Sequence, residues 1–162
     1  MSEAKGQIEK RLVELGIELP QTWAAPPGMN FISVVVVGEL LFLAGHGPTG
    51  SDGKLAYNGK VGAEVSVEDG YKAARLTGLN ILATMQKELG TLDRVAKLVK
   101  VLGMVNAVEG FGKQPQVING ASDLFVEVFG EQIGKHARSA VGMGGLPNNM
   151  PVEIEMIVQI KA

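Results

Sequence analysis

Arg138, Glu153 and Glu155 lie within one stretch, HARSAVGMGGLPNNMPVEIEMIVQI, from His136 to Ile160. An arginine held on a rigid sheet can grip a small carboxylate through paired hydrogen bonds. A glutamate nearby can move a proton. In VEIEMIVQI, Val152, Ile154, Met156, Val158 and Ile160 alternate with Glu153, Glu155, Ile157 and Gln159. That period of two marks a strand with one apolar face. With the segment around Arg138 it reads as a hairpin, joined by a Gly/Pro/Asn turn, whose other face presents Arg138 together with Glu153 or Glu155. A structural ion pair, usually weak, is the plainer reading of these residue types alone. His46, between Gly45 and Gly47, sits on a glycine-rich strand end of the kind that lets a ligand approach the backbone. An exposed turn histidine fits it equally well.

Other chemistries are excluded by what the chain lacks. There is no cysteine, and the two histidines, His46 and His136, are too few for a histidine-rich metal site within one chain. No G-x-S-x-G, GxxxxGK[ST] or HExxH motif occurs, and no GxGxxG follows a strand and opens a helix. A net charge of -2 and 5% aromatic residues argue against a nucleic-acid surface. No apolar run is long enough to span a bilayer. The opening MSEAKGQIEKRL is charged throughout, unlike a secretory signal, so a cytoplasmic location is expected.

The elements that must position these residues follow from periodicity and punctuation. The 162 residues suit one domain, with 1–28 an N-terminal helix and loop extension. Glu3–Leu15 reads as a helix ended by Gly16, followed by a Pro26-Pro27-Gly28 break. Phe31–Val37 and Leu40–Ala44 read as strands joined by a Gly38-Glu39 type II′ turn. Both are apolar on both faces, so helices must cover one face and partner subunits the other; an obligate oligomer is expected. Gly50–Glu64 reads as a loop with a short hairpin around Tyr57-Asn58-Gly59. Ser66 opens a helix through a capping-box-like Ser66-x-x-Asp69. Its stripe includes Ala74, Gly78, Ile81, Leu82, Met85 and Leu89, with Arg75 and Lys87 on the solvated side, and Gly90 stops it. Gly78 permits a close helix–sheet approach. Val95–Val108 reads as a strand with a bulge or bend at Gly103, and Gln116–Phe129 as a second long helix ended by Gly130.

The pattern R-S-x-V-x(4)-LP-x(4)-[VI]-E-I-E, standing here as Arg138, Ser139, Val141, Leu146, Pro147, Val152, Glu153, Ile154 and Glu155, closely resembles the C-terminal signature of the RidA/YjgF family, also called "endoribonuclease L-PSP". The likeness runs from about Phe31 to Ile160. It implies an α+β, chorismate-mutase-like fold: one mixed β-sheet with two long helices on one face, in a homotrimer with a barrel-like core and ligand sites in the clefts between subunits. It further implies hydrolysis of reactive enamines and imines such as 2-aminoacrylate to 2-keto acids and ammonia, with neither metal nor organic cofactor. By the same resemblance Arg138 binds carboxylate, Glu153 orients or activates water, Asn119 is a pocket asparagine, and the backbone of Gly45 approaches the ligand.

The chain also departs from the family pattern. Phe31 stands for the pocket tyrosine, Ala44 for a serine, Ala140 for a cysteine and His46 for a glutamine. The N-terminal helix and the longer loop between Gly47 and Val65 mark a divergent branch. Such a pocket could accept a bulkier or more apolar side chain. Chemically the reading is economical: an imine carbon is already electrophilic, so a fixed carboxylate anchor, a placed water and modest proton transfer suffice. Two other functions compete with it. A non-catalytic sensor of small carboxylates such as 2-keto acids fits the lost polar groups. An endoribonuclease or translation inhibitor fits the old family name but not the acidic charge balance.

Overall fold

The computed structural model describes residues 6–22 and 28–162. In chain order the elements are α1 (Gln7–Glu14), β1 (Val34–Val37), β2 (Leu40–His46), α2 (Val67–Leu89), β3 (Val95–Asn106), α3 (Gln114–Gly134), β4 (Ala137–Met143) and β5 (Val152–Ile160), with short 3-10 turns at Leu92–Arg94 and Pro147–Asn149. The expected start of the first helix at Glu3 and the Pro26-Pro27 break lie outside the described residues.

Local signals set most boundaries. Ser66 Oγ accepts from Asp69 N–H at the start of α2, as the expected cap requires, but Asp69 Oδ2 takes the Ser66 hydroxyl proton at 3.0 Å in place of the backbone N–H that a full capping box would engage. Gly90, at φ 78, stops the helix. Gly38 turns at φ 59 while Glu39 does not need a positive angle, as a type II′ turn requires. α3 begins two residues earlier than expected and runs past Gly130, where φ 75 and ψ 171 kink it before a final turn to Gly134. Phe31 to Ser33 are not strand; β1 starts only at Val34. In the following loop the bridge Thr49↔Leu55 closes a turn around Ser51–Gly53, and the hairpin expected around Tyr57–Gly59 is absent.

The sheet has five strands in the order β1-β2-β5-β3-β4, and two expectations are corrected by that order. β4 and β5 do not form a hairpin: β3 lies between them, parallel to β4 and antiparallel to β5. The fold is α+β with one mixed sheet and two long helices, but the sheet is open, with free edges at β1 and β4. It does not close into a barrel, so the barrel-cored trimer is not what this fold displays.

Leu41, Leu43, Val101, Ile154, Met156 and Val158 bury one sheet face against Ile81, Leu82, Ile118, Leu124 and Phe125 of α2 and α3. Glycines set how closely the layers meet. Gly103 is no bulge, since the β3–β5 register shifts fall at Val95/Lys97 and Leu98/Lys100. A Cβ there would come within 2.6 Å of Ile118, so its role is to seat α3 on the sheet. Gly78 faces Leu124 and Ala121, making it a helix–helix contact and not the helix–sheet contact expected. Arg75 is not simply solvated: its Nη2 bonds Glu127 Oε2 at 2.8 Å and ties α2 to α3. The N-terminal helix is joined by reciprocal caps. Asp93 accepts from Gln7 N–H and Ile8 N–H at 2.7 and 2.8 Å, and Glu9 accepts from Leu92 N–H at 2.7 Å. No helix among the described residues is long and apolar enough to cross a membrane.

Candidate active site

β4 carries Arg138 along the sheet edge beside α3. Register places Arg138 opposite Val101, and Val101 opposite Met156; both are buried, so Arg138 is on the helix-facing side. One nitrogen, Nη1, donates to Asn119 Oδ1 at 2.8 Å and to Ser122 Oγ at 3.0 Å. Those two bonds use both of its hydrogens. The Nε and Nη2 hydrogens remain, and together they form the edge that pairs with a carboxylate in a side-on fork. No carboxylate forms a salt bridge with Arg138 among the described residues.

The arginine is held by a chain of hydrogen bonds. His136 Nδ1 lies 2.7 Å from the Gly134 carbonyl, which can only accept, so Nδ1 carries the proton. His136 Nε2, 3.0 Å from Ser122 Oγ, therefore accepts the serine proton and leaves the serine oxygen to receive Arg138. Burial lowers the His136 pKa, and the Arg138 and Lys97 cations lower it further against the bond to Gly134. Phe125 meets the imidazole edge-on at 5.9 Å. Ala140, two residues beyond Arg138 on the same face, is half-buried against the core.

A second set of residues surrounds a cavity of about 250 Å³ between β2, β5, α2 and the turn at Pro147–Asn149. Phe31, Gly45, His46 and Glu153 all line it. The Glu153 carboxylate lies across Gly45 where a Cβ would otherwise stand, which gives the glycine its reason. Burial raises the Glu153 pKa, and the neighbouring Glu155 charge adds to the rise. His46 is not a turn histidine in water. Its Nδ1 faces the Ala44 carbonyl at 2.6 Å and its Nε2 faces Thr84 Oγ1 at 2.9 Å. The first contact fixes the proton on Nδ1, so Thr84 donates to Nε2. Burial lowers the His46 pKa against the opposing bond to Ala44, keeping the ring neutral near pH 7, with neither nitrogen available for proton transfer.

Within one chain the two sets do not meet. Glu153 lies opposite Met104, and Met104 opposite Val141, three positions along from the Arg138 line. An odd offset puts Glu153 on the other face of the sheet. The two are also two strands apart, roughly 10 Å across and 10 Å along. The expectation that one hairpin face presents Arg138 with Glu153 or Glu155 is therefore corrected. Arg138, Asn119 and Ala140 share one edge; Phe31, Gly45, His46 and Glu153 share the cavity. Asn80, Thr84, Ser122 and His136 are additions that the sequence reading did not single out. Their only advance signal was Thr77, Asn80 and Thr84, a polar row at helical spacing beside the apolar stripe of α2.

An open mixed sheet backed by two helices that run parallel to each other, with a tethered arginine at one edge and a glutamate-bearing cavity at another, defines a small α+β protein with ligand-sized sites. Residues 9–159 match the family model described as "YjgF/chorismate_mutase-like, putative endoribonuclease", and the chain belongs to this RidA/YjgF family, as a divergent branch. It is 41% identical over 157 residues to Protein TCP17 of Trypanosoma cruzi, covering 97% of this chain and 96% of that one. Two solved structures share the fold over nearly their full lengths. Atu1372 of Agrobacterium tumefaciens, a protein of unknown function, is 43% identical with a TM-score of 0.85, covering 95% of this chain and 94% of its own. A "putative endoribonuclease" of Shewanella oneidensis is 34% identical with a TM-score of 0.89, covering 96% and 100%. Family membership supports a general deaminase or hydrolase role.

Proposed function

We propose that the protein hydrolyses reactive 2-enamino and 2-imino acids, of the 2-aminoacrylate kind, to 2-keto acids and ammonia, at sites completed where two copies meet. The observation that carries this reading is the Arg138 fork: Asn119 and Ser122 engage Nη1 alone and leave the side-on edge for a substrate carboxylate. The enamine first takes a proton on carbon and gives one up from nitrogen to water, becoming the imine. Glu153 then takes a proton from water as its oxygen adds to the imine carbon. The carboxyl returns that proton to nitrogen, giving a carbinolamine; it then takes the carbinol hydroxyl proton and passes it to the amine as the C–N bond breaks, leaving the carbonyl and ammonia. A pKa raised by burial suits a carboxyl that must both accept and release a proton near neutrality. Because Arg138 and Glu153 lie on opposite faces of one sheet, the Arg138 edge of one copy must meet the Glu153 cavity of another. The exposed apolar face of the sheet supports that association.

The test follows ammonia and keto-acid release above the buffer rate from freshly generated 2-aminoacrylate and larger imines. Arg138→Ala is expected to lower kcat/KM by roughly 100-fold or more, the loss of two charge-assisted hydrogen bonds. Arg138→Lys should recover little, since ammonium lacks the planar fork. Wild-type rates in Arg138→Ala would exclude the anchor. The second reading, a non-catalytic 2-keto-acid sensor, draws on the apolar Phe31, Ala44 and Ala140. Binding of 2-keto acids without turnover of any imine would favour it.

A further inference from the structure

The cavity over α2 carries an imbalance of hydrogen-bonding groups. Asn80 is only 6% exposed. Its Nδ2 donates to the carbonyls of Thr49 at 2.8 Å and Leu76 at 3.0 Å, and because carbonyls only accept, these contacts fix which end of the amide is nitrogen. Its Oδ1 faces away from them and has no hydrogen-bond partner among the described residues. No buried side-chain nitrogen or oxygen there is left unsatisfied, so this oxygen opens on the cavity that Asn80 lines. Thr84, 7% exposed, gives its hydroxyl proton to His46 Nε2 and keeps only lone pairs. His46 has both ring nitrogens engaged. The α2 side of the cavity thus offers two acceptors and no donor from these three residues, while Phe31, Leu55 and Met150 supply apolar wall. A buried acceptor left facing an apolar ligand gives up its hydrogen bond to water and gains none in return.

We infer that this cavity selects 2-imino or 2-enamino acids whose side chain ends in a hydrogen-bond donor, a hydroxyl or a primary amide, received by Asn80 Oδ1 and Thr84 Oγ1. The inference rests on the deaminase reading for the reacting end of the ligand. The side-chain end is independent of it. The apolar walls suit a methylene stem, and a volume of about 250 Å³ accommodates a side chain larger than the methylene of 2-aminoacrylate. Discrimination of this kind is strong, because a site built to receive a hydroxyl proton rejects the isosteric methyl compound by leaving its own acceptor unpaired.

The experiment compares 2-imino acids with CH2CH2OH and CH2CH2CH3 side chains, equal in length and nearly equal in volume, generated in situ by an amino-acid oxidase. Hydrolysis is measured above the buffer rate. Wild type is expected to favour the hydroxyl compound by about 10-fold or more in kcat/KM, and Asn80→Ala should bring the ratio to near one. If that variant does not fold, Thr84→Val, which removes the second acceptor, should lower the ratio instead. Equal or faster turnover of the methyl compound by wild type overturns the inference. If neither imine is turned over, the deaminase reading fails, and the two corresponding 2-keto acids are compared by calorimetry. Tighter binding of the hydroxyl acid by about 10-fold then upholds the donor selectivity. Equal binding, or none, overturns it.

Discussion

Glu153 lies across the bare backbone of Gly45, and that contact predicts a separation of stability from activity. A methyl at Gly45 would occupy the place of Glu153 Oε1. The obstructing atom is the far end of a flexible side chain, so the carboxylate swings aside and the fold survives. Gly45→Ala is expected to change stability by less than about 1 kcal/mol. Displacing a water-orienting group by an ångström or more costs about 100-fold in rate, so imine hydrolysis should fall by that order. Thermal melts and turnover on the same sample check both halves, and an unchanged rate would show that the carboxylate need not sit where it does. At this scale the sequence reading was uneven. Arg138 and Glu153 stand in a signature, His46 sits on a glycine-rich strand end, and the place of Gly45 beside a ligand comes from the family resemblance. The tether of Arg138 was not legible, because Ser122 and His136 are 14 residues apart and reach each other only once α3 has packed against β4. The sequence around His46 fits a cavity wall and an exposed turn alike, because its partner Thr84 sits 38 residues away, a distance no local pattern spans.

The helix pair is where packing leaves the least freedom. Gly120 of α3 sits against the backbone of Tyr71 and Arg75 in α2, so a Cβ there meets main-chain atoms that cannot rotate away. Gly120→Ala should therefore force the helices apart and lower stability by about 3 kcal/mol. Chemical denaturation measures this, and a loss below about 0.5 kcal/mol would mean that the helices yield easily. Arg75 and Glu127 bridge the same pair from the surface, but their partial exposure makes that contribution small. Elements were the best-read level because their signals are local: Ser66 and Gly90 bound α2, and strict alternation marks β5. Pairing is not local. The short Gly/Pro/Asn connection between β4 and β5 read as a hairpin turn. The β3–α3–β4 crossover instead lays β4 parallel to β3, on the edge away from β5. Glycines 78 and 103 were recognised as special, yet which neighbour each one admits depended on that layering.

On the scale of the whole molecule, the uncovered sheet face decides what the protein must do in solution. Val35, Val37, Phe42 and Val141 are 46%, 61%, 38% and 38% exposed. The strand register sets Val35 beside Phe42 and Val37 beside Leu40, so at the β1–β2 end they form a continuous apolar surface, where a soluble monomer would present polar residues. Composition alone anticipated an unpaired face, since FISVVVV and LLFLA are apolar on both sides; it could not show that the sheet stays open at both edges. The expected result is self-association: sedimentation of the wild type should give a mass several times 17.1 kDa. Phe42→Glu, a charge placed in that surface, should release monomers. If the active site needs Arg138 from one copy and the Glu153 cavity from another, imine hydrolysis and association must be lost together in this variant. Monomers that retain full activity would break the two-copy site while leaving the chemistry standing. A wild type that sediments at 17.1 kDa would remove the association itself.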